Sequence, residues 1–151
     1  MRVIEACIRD VEHGDDVTIM MPSNVYECEL GDNVFVGPFV EIQKQSKIGA
    51  RTRVQSHSFI CEMVSIGEDC FISHGVMFIN DTFASGGPAG GDKDKWHSTT
   101  IGNRVSIGSN ATILPVQICD DVVIGAGAVV TKDILKPGKY AGNLCRYLGA
   151  I

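Results

Sequence analysis

The chain has little of what membrane, secreted and nucleic-acid-binding proteins require. No apolar run among its 151 residues reaches the roughly 18–20 residues needed to cross a bilayer. The opening stretch from Met1 to Asp16 meets its first acidic residue at Glu5 and holds no continuous apolar segment, so it does not read as a secretory signal. Lys and Arg number 13 against 18 Asp and Glu, a net charge of −5. That balance argues against a nucleic-acid or anionic-membrane surface, either of which needs a basic face. A local basic spot for one phosphate ligand is still compatible with it. Aromatic residues are only 7% of the chain, so its core must be small and aliphatic. The six cysteines, at 7, 28, 61, 70, 119 and 145, form no C-x-x-C pair. With no secretory signal, they read as reduced thiols in a cytoplasmic protein. Cys61, Cys70 and Cys119 are expected to fill small slots in a repeat.

What the chain does have is glycine, 17 residues of it, and a repeat. Its length is that of one domain, taken as 1–151. Stepping by six from Leu30 gives Val36, Ile42, Ile48, Val54, Ile60, Ile66, Ile72 and Phe78, all large and apolar. Four residues after each comes a smaller side chain, in turn Val34, Val40, Ser46, Thr52, Ser58, Val64, Cys70 and Val76. The beat resumes at Ile101, Ile107 and Ile113, takes one five-residue step to Ile118, and continues at Ile124 and Val130. Period six is neither helical nor a simple strand alternation. It fits a chain that makes a short strand and then a corner in every six residues. Three such segments close one triangular coil, and successive coils stack as parallel strands about 4.8 Å apart. The large residue points inward, and the residue four later also faces inward, near a corner. The glycines after the large residue, Gly31, Gly37, Gly49 and Gly67, are expected to permit the sharp backbone turn. Residues 1–29 repeat less cleanly and read as irregular coils capping the open end. The coils are expected to run from about residue 17 to 133.

One segment breaks the beat. Residues 80–100, rich in glycine and charge, read as an extruded loop over about 81–99 that holds the sole tryptophan, Trp96. A long loop without structure of its own is usually functional or disordered. After Val130 the chain ends in a short segment, read as helical from Leu144, that closes the last coil.

Several stretches resemble one group of proteins. They are Gly37–Gln43, Gln55–Glu62, His74–Asp81, Ile107–Pro115 and Gly125–Asp133. Together they look like the hexapeptide-repeat acyltransferases, and the Phe-Ile-Asn-Asp run ending at Asp81 is similar to enzymes acting on 3-amino-3-deoxyhexoses linked to dTDP or UDP. The resemblance implies an all-β, left-handed parallel β-helix and a homotrimer with active sites between neighbouring subunits. It also implies acetyl-CoA as cosubstrate, with no metal. The expected activity is N-acetylation of a nucleotide-linked amino sugar in surface polysaccharide biosynthesis. In such folds coenzyme A lies in the groove between prisms, past corner amides, and Gly108, Ser109, Gly125 and Ala126 are the matching positions here. Lys132, Lys136, Lys139 and Arg146 cluster in the C-terminal tail and suit the phosphates.

Stacking places candidate side chains. Glu62 and Asn80 are one coil apart, with Lys44 one coil below Glu62, so all three share a corner column. His74 lies one coil above Ser56, beside His57, so the two histidines share a second corner. Acetyl transfer to an amine needs a neutral, oriented nucleophile, a donor for the oxyanion and a route for the proton. A histidine suits the proton, and an Asn carbonyl or a carboxylate can orient the amine. The acceptor amine is therefore expected among His57, His74, Asn80 and Glu62, near the root of the loop. His97, on the loop, and His13 lie outside the repeat. Two other readings stay open. One is a metalloenzyme resembling the γ-class carbonic anhydrases, although no third histidine falls at a matching corner. The other is a non-catalytic β-helix scaffold.

Overall fold

The six-residue beat resolves into strands of two or three residues joined by corners. The structure is a computed structural model that describes Met1 and residues 7–150. Its strands make three faces. Seven strands form the first face, from Ile8–Arg9 to Val129–Val130. Six form the second, from Glu12–His13 to Gln117–Ile118, and eight form the third, from Thr18–Ile19 to Arg146–Gly149. Between the end coils each strand pairs in parallel with the coil below and the coil above. Phe59 lies between Glu41 and Met77, and Ile66 between Ile48 and Ile101. This is a parallel β-helix whose corners form three vertical edges. We call them the histidine corner (third face to first), the loop corner (first to second) and the ion-pair corner (second to third).

The interior follows the sequence pattern. Every large residue of the hexad series from Leu30 to Phe78 is at most 3% exposed. The second inward position is buried too, and its hydroxyls are satisfied across the corner. Ser46 Oγ donates to the Cys61 carbonyl at 2.9 Å, Thr52 Oγ1 to that of Gly67 at 2.8 Å, and Ser58 Oγ to that of Ser73 at 2.8 Å. Cys70 fills such a slot, Cys61 is buried at the position directly after Ile60, and Cys119 is only half-buried. Burial pushes the Cys61 thiol up to about 12 and the Cys28 thiol up to about 11.

The glycines do something other than expected. The left-handed backbone at the corners is carried mostly by other residues, including Asn33, Phe39, Arg51, His57 and Asp69. The glycines after the large residue are instead required by close stacking. A Cβ on Gly31 would stand 2.7 Å from the Ala50 nitrogen, and one on Gly37 would stand 2.9 Å from the Ser56 nitrogen.

The ion-pair corner is laced. Arg51 reaches Asp69 and Glu68, both at 2.7 Å, and Arg104 reaches Asp121 at 2.7 Å and Asp120 at 3.3 Å. Side-chain oxygens cap the corner amides of the coil below. Asp32 accepts from the Asp15 N–H, Asn103 from that of Glu68, and Asp120 from that of Asn103, all at 2.8–2.9 Å. The neighbouring arginines hold the Asp69 and Asp121 carboxyls below the usual range.

Both ends of the stack differ from the sequence expectation. Stacking starts at Ile8, which pairs with Val25, and continues to Gly138–Ala141, which pairs in parallel with Val122–Ile124. Among the described residues nothing lies beneath the first coil, so its strands stay exposed (Ile8 is 43% exposed) and the apolar beat is not required there. The terminal segment is not helical. Arg146–Gly149 pairs antiparallel with Gly138–Ala141, and the Tyr147 ring sits 5.2 Å from that of Tyr140. So short a segment cannot offset the cost of nucleating a helix, whereas the open edge of the third face offers it backbone partners.

Candidate functional site

The histidine corner is one continuous ladder. His57 N–H donates to the Pro38 carbonyl at 3.3 Å, Gly75 N–H to that of Ser56 at 3.0 Å, Asn110 N–H to that of His74 at 2.9 Å, and Gly127 N–H to that of Ser109 at 2.9 Å. His57, His74, Gly108, Ser109, Gly125 and Ala126, singled out for two different tasks, thus occupy a single edge of the prism. The two histidines differ in setting. The exposed His57 ring lies flat on Phe39, with centroids 4.9 Å apart and planes 8° apart. His74 Nδ1 is 2.8 Å from Ser56 Oγ. Among the described residues, the N–H groups of Ser56, His74, Ser109 and Ala126 have no hydrogen-bond partner. Above His74 the corner carries only Ser109, Asn110, Ala126 and Gly127, and nothing lies within 4 Å of the Cβ position on Gly127. The edge is therefore lined by small side chains and unpaired amide donors.

The loop corner gathers the other candidates. Asn80 Nδ2 donates to the Glu62 carbonyl at 3.3 Å, so the column of Lys44, Glu62 and Asn80 is formed. The Glu62 side chain is nearly buried and held by two lysines, Lys93 Nζ at 2.8 Å and Lys44 Nζ at 3.8 Å. Glu62 in turn raises the Lys93 ammonium above its ordinary value. The chain leaves the stack after Phe78 and returns at Thr99, which pairs with Val64. The intervening loop is organised by carboxylates. Asp81 accepts from Ala89 N–H at 2.7 Å and from Phe83 N–H at 2.9 Å, and these bonds hold its carboxyl below the usual range. Asp92 caps a single 3-10 turn over Lys93–Lys95. Trp96 is half-buried, with Lys93 Nζ 5.8 Å from its ring centre. A cavity of about 310 Å³ opens beneath, lined by Asp81, Ala84, Ser85, Lys95 and His97.

The two corners do not meet within one chain. Phe59–Ile60 separates His57 from Glu62, and Met77–Phe78 separates His74 from Asn80. Five or six extended residues span about 15–20 Å, far beyond the roughly 3 Å reach of one amine's hydrogen bonds. Within one chain the four side chains therefore divide between two corners, one at each side of the first face. The outward residues of the face between the corners include the half-buried Phe59 and the exposed Met77.

At the C-terminal end, Lys132 and Arg146 line one cavity of about 360 Å³ together with Tyr140, Cys145 and Tyr147. Lys136 Nζ lies 4.5 Å from the Tyr147 ring centre. His13 sits on the first coil, its Nδ1 2.9 Å from the Gly14 carbonyl. Among the described residues no three His, Cys, Asp or Glu side chains converge as a metal-binding group. Sequence reasoning missed two participants. Ser56 was placed one coil below His74 but given no role, although that position puts its hydroxyl within reach of the ring. Asp81 was visible beside Asn80, but its grip on the loop amides depends on how the loop closes.

Comparison with known proteins agrees with this geometry. The family model described as "Bacterial transferase hexapeptide (six repeats)" matches residues 27–62, and "Hexapeptide repeat of succinyl-transferase" matches residues 98–132. Over these two stretches the chain is similar to hexapeptide-repeat transferases. It is similar to the bifunctional protein GlmU of Clostridium perfringens, with 32% identity over 89% of this chain and 27% of that protein. The chain thus spans less than a third of the length of such relatives. Two solved structures share the fold. One is an aspartate-to-alanine variant of the Bacillus cereus N-acyltransferase AntD in complex with dTDP and coenzyme A, with a TM-score of 0.76 and 20% identity over 91% of this chain and 84% of that one. The other is a histidine-to-asparagine variant of perosamine N-acetyltransferase from Caulobacter crescentus in complex with CoA and GDP-perosamine, with a TM-score of 0.74 and 22% identity over 88% of this chain and 57% of that one.

Proposed function

We propose that the chain is an acetyl-CoA-dependent N-acetyltransferase acting on the amino group of a nucleotide-linked amino sugar. The acceptor is a dTDP- or UDP-3-amino-3-deoxyhexose, and the reaction belongs to surface polysaccharide biosynthesis in the cytoplasm. The observation that carries the reading is the histidine corner, where a hydroxyl-bonded imidazole and a run of unpaired corner amides share one edge. Pantetheine is a chain of amides and suits that edge, with its carbonyls accepting from Ser109 and Ala126 beside Gly108 and Gly125. The phosphates of coenzyme A reach Lys132 and Arg146 at the C-terminal end. The dTDP named with one structural neighbour and the GDP-perosamine named with the other support a nucleotide-linked acceptor.

Because the two corners of one chain lie a face apart, the acceptor side of the site comes from a second copy. A homotrimer sets the loop corner of one prism against the histidine corner of the next, burying the apolar face between them. Asn80 and Glu62, with the loop they hold, then orient the acceptor. In the reaction the neutral amine attacks the thioester carbonyl and a corner amide donates to the oxyanion. The carbon–sulfur bond breaks. His74 takes the amine proton and returns it to the departing CoA thiolate. His57, on its Phe39 platform, shapes the groove beside it.

The test is thiol release from acetyl-CoA with a panel of dTDP- and UDP-aminosugars. Turnover restricted to amino sugars supports the reading. A protein that binds coenzyme A yet releases no thiol with any amine acceptor refutes it.

A further inference from the structure

The corner residue that precedes each left-handed position has two possible tasks in this fold. At the ion-pair corner its side chain reaches down and caps the backbone N–H of the coil below, as Asp32, Asn103 and Asp120 do. His74 occupies the equivalent place at the histidine corner, directly above Ser56. Its ring does not cap the Ser56 N–H, which stays unpaired among the described residues. It bonds the Ser56 hydroxyl instead, Nδ1 to Oγ at 2.8 Å. A local bond between side chain and backbone has been replaced by a bond between two side chains. The residue one coil below Ser56 is Pro38 and the one above His74 is Ser109, and neither bonds to His74. Ser56 is thus the imidazole's sole hydrogen-bond partner among the described residues. The left-handed position beside His74 is Gly75, and the Asn110 side chain leans into the space that a Cβ there would occupy. That leaves the ring flanked but otherwise untethered.

We infer that Ser56 is the positioning residue for His74. Its hydroxyl oxygen accepts from Nδ1–H, fixes the tautomer and the ring angle, and presents the Nε2 lone pair to the acceptor amine. The inference rests on the reading of His74 as the base. It adds a residue whose only route to the chemistry is through that ring. A histidine acting through Nε2 depends on whatever holds the proton at Nδ1. A hydroxyl can do this without adding a charge to an edge that must also accept coenzyme A.

The experiment compares Ser56→Ala, Ser56→Thr, His74→Asn and the S56A/H74N double variant, in steady-state acetyl transfer with acetyl-CoA and the best acceptor of the panel. Ser56→Ala should lower kcat about 10-fold, the loss of one hydrogen bond, and leave KM for acetyl-CoA within about twofold. Ser56→Thr keeps the hydroxyl and should restore most of the rate. In the H74N background, adding S56A should change nothing further, because a residue that acts through His74 has no ring left to position. Nitrogen-15 imidazole spectra should show Nδ1 protonated in the parent protein and a mixture of tautomers in S56A. If His74→Asn costs the rate while S56A leaves kcat at the parent value, Ser56 plays no positioning part. The positioning role is equally overturned if S56A exerts its full effect without His74. If His74→Asn itself turns over normally, the base assignment fails, and the role of Ser56 fails with it.

Discussion

The ion-pair corner and the histidine corner are the same backbone device with opposite side-chain policies. On the ion-pair corner, three corner amides are capped by a carboxylate or carboxamide of the coil above, and two arginines bind paired acids. On the histidine corner no ion pair forms among the described residues, and none of the amides of Ser56, His74, Ser109 and Ala126 is capped. On the ion-pair corner those of Asp32, Ala50 and Asp120 are left without a partner among the described residues, beside the three that are capped. A solenoid supplies donors at every corner, and in the proposed function the corner whose side chains leave all of these amides uncapped is the one that meets coenzyme A. Stability and function can then be written on different edges of one prism with little interference.

This separation can be broken at its foundation first. Ile66 is 3% exposed and belongs to the core that both corners share. Ile66→Asp would bury an unpaired charge at a cost of several kcal/mol, on the order of the whole stability of such a domain. It should abolish cooperative melting by circular dichroism, and a soluble variant with a parent-like melt would refute the inward register. The next largest effect should fall on activity alone. His74→Asn is expected to reduce kcat/KM roughly 100- to 10,000-fold, as loss of a general base does, with Tm and the KM for acetyl-CoA unchanged. His57→Asn, measured alongside, should cost far less, and equal losses would undo the distinction between the two rings.

Asn80 tests the third corner, where binding and architecture meet. Its side chain bonds the Glu62 carbonyl and its own carbonyl receives the His97 N–H at the loop's return. Asn80→Ala should lower kcat/KM about 10-fold, the worth of one orienting hydrogen bond to a partly charged group, chiefly through KM for the acceptor. A rise confined to KM for acetyl-CoA would move Asn80 to the wrong side of the site. The smallest effect belongs to the ion-pair corner. Arg104→Ala should leave kcat/KM unchanged and lower Tm slightly, an effect that molar salt erases, because exposed ion pairs are weak and screened. The sign with pH follows from Asp69 and Asp121, whose carboxyls are held low by arginine in the folded chain. Their contribution is present above the ordinary carboxylate range, near pH 4, and is lost as pH falls through the lower folded values. Thermal stability should therefore be flat near neutrality and fall in acid, with the fall reduced in an R51A/R104A variant.

Much of this was legible in the residues, because a repeat averages over local ambiguity. The inward series from Leu30 to Phe78, the loop's exit near Asn80 and both corner columns follow from counting by six and by eighteen. What counting could not supply was tertiary. Glycine next to each large residue looked like a turn former, but whether a Cβ collides depends on the spacing between coils. The tail from Leu144 carries no beat, and only the open edge of the third face decides that it becomes a strand. The lysine grip on Glu62 joins residues 31 apart in the chain. Two polar corners on one chain invited a single site, and counting along the chain did not show that a face of the prism lies between them.

The buried cysteines bear on the cleanliness of the chemistry. A thiol pushed up to about 12, as at Cys61, is ionised to about one part in a hundred thousand at neutral pH, and thiolate rather than thiol is the form that attacks a thioester. Under the proposed activity, the prism can hold sulfur in its core without that sulfur intercepting an acyl group outside it. A catalyst built this way should show no slow self-acetylation at these positions, and a thiol-reactive dye that counts released coenzyme A should find them silent until the protein unfolds.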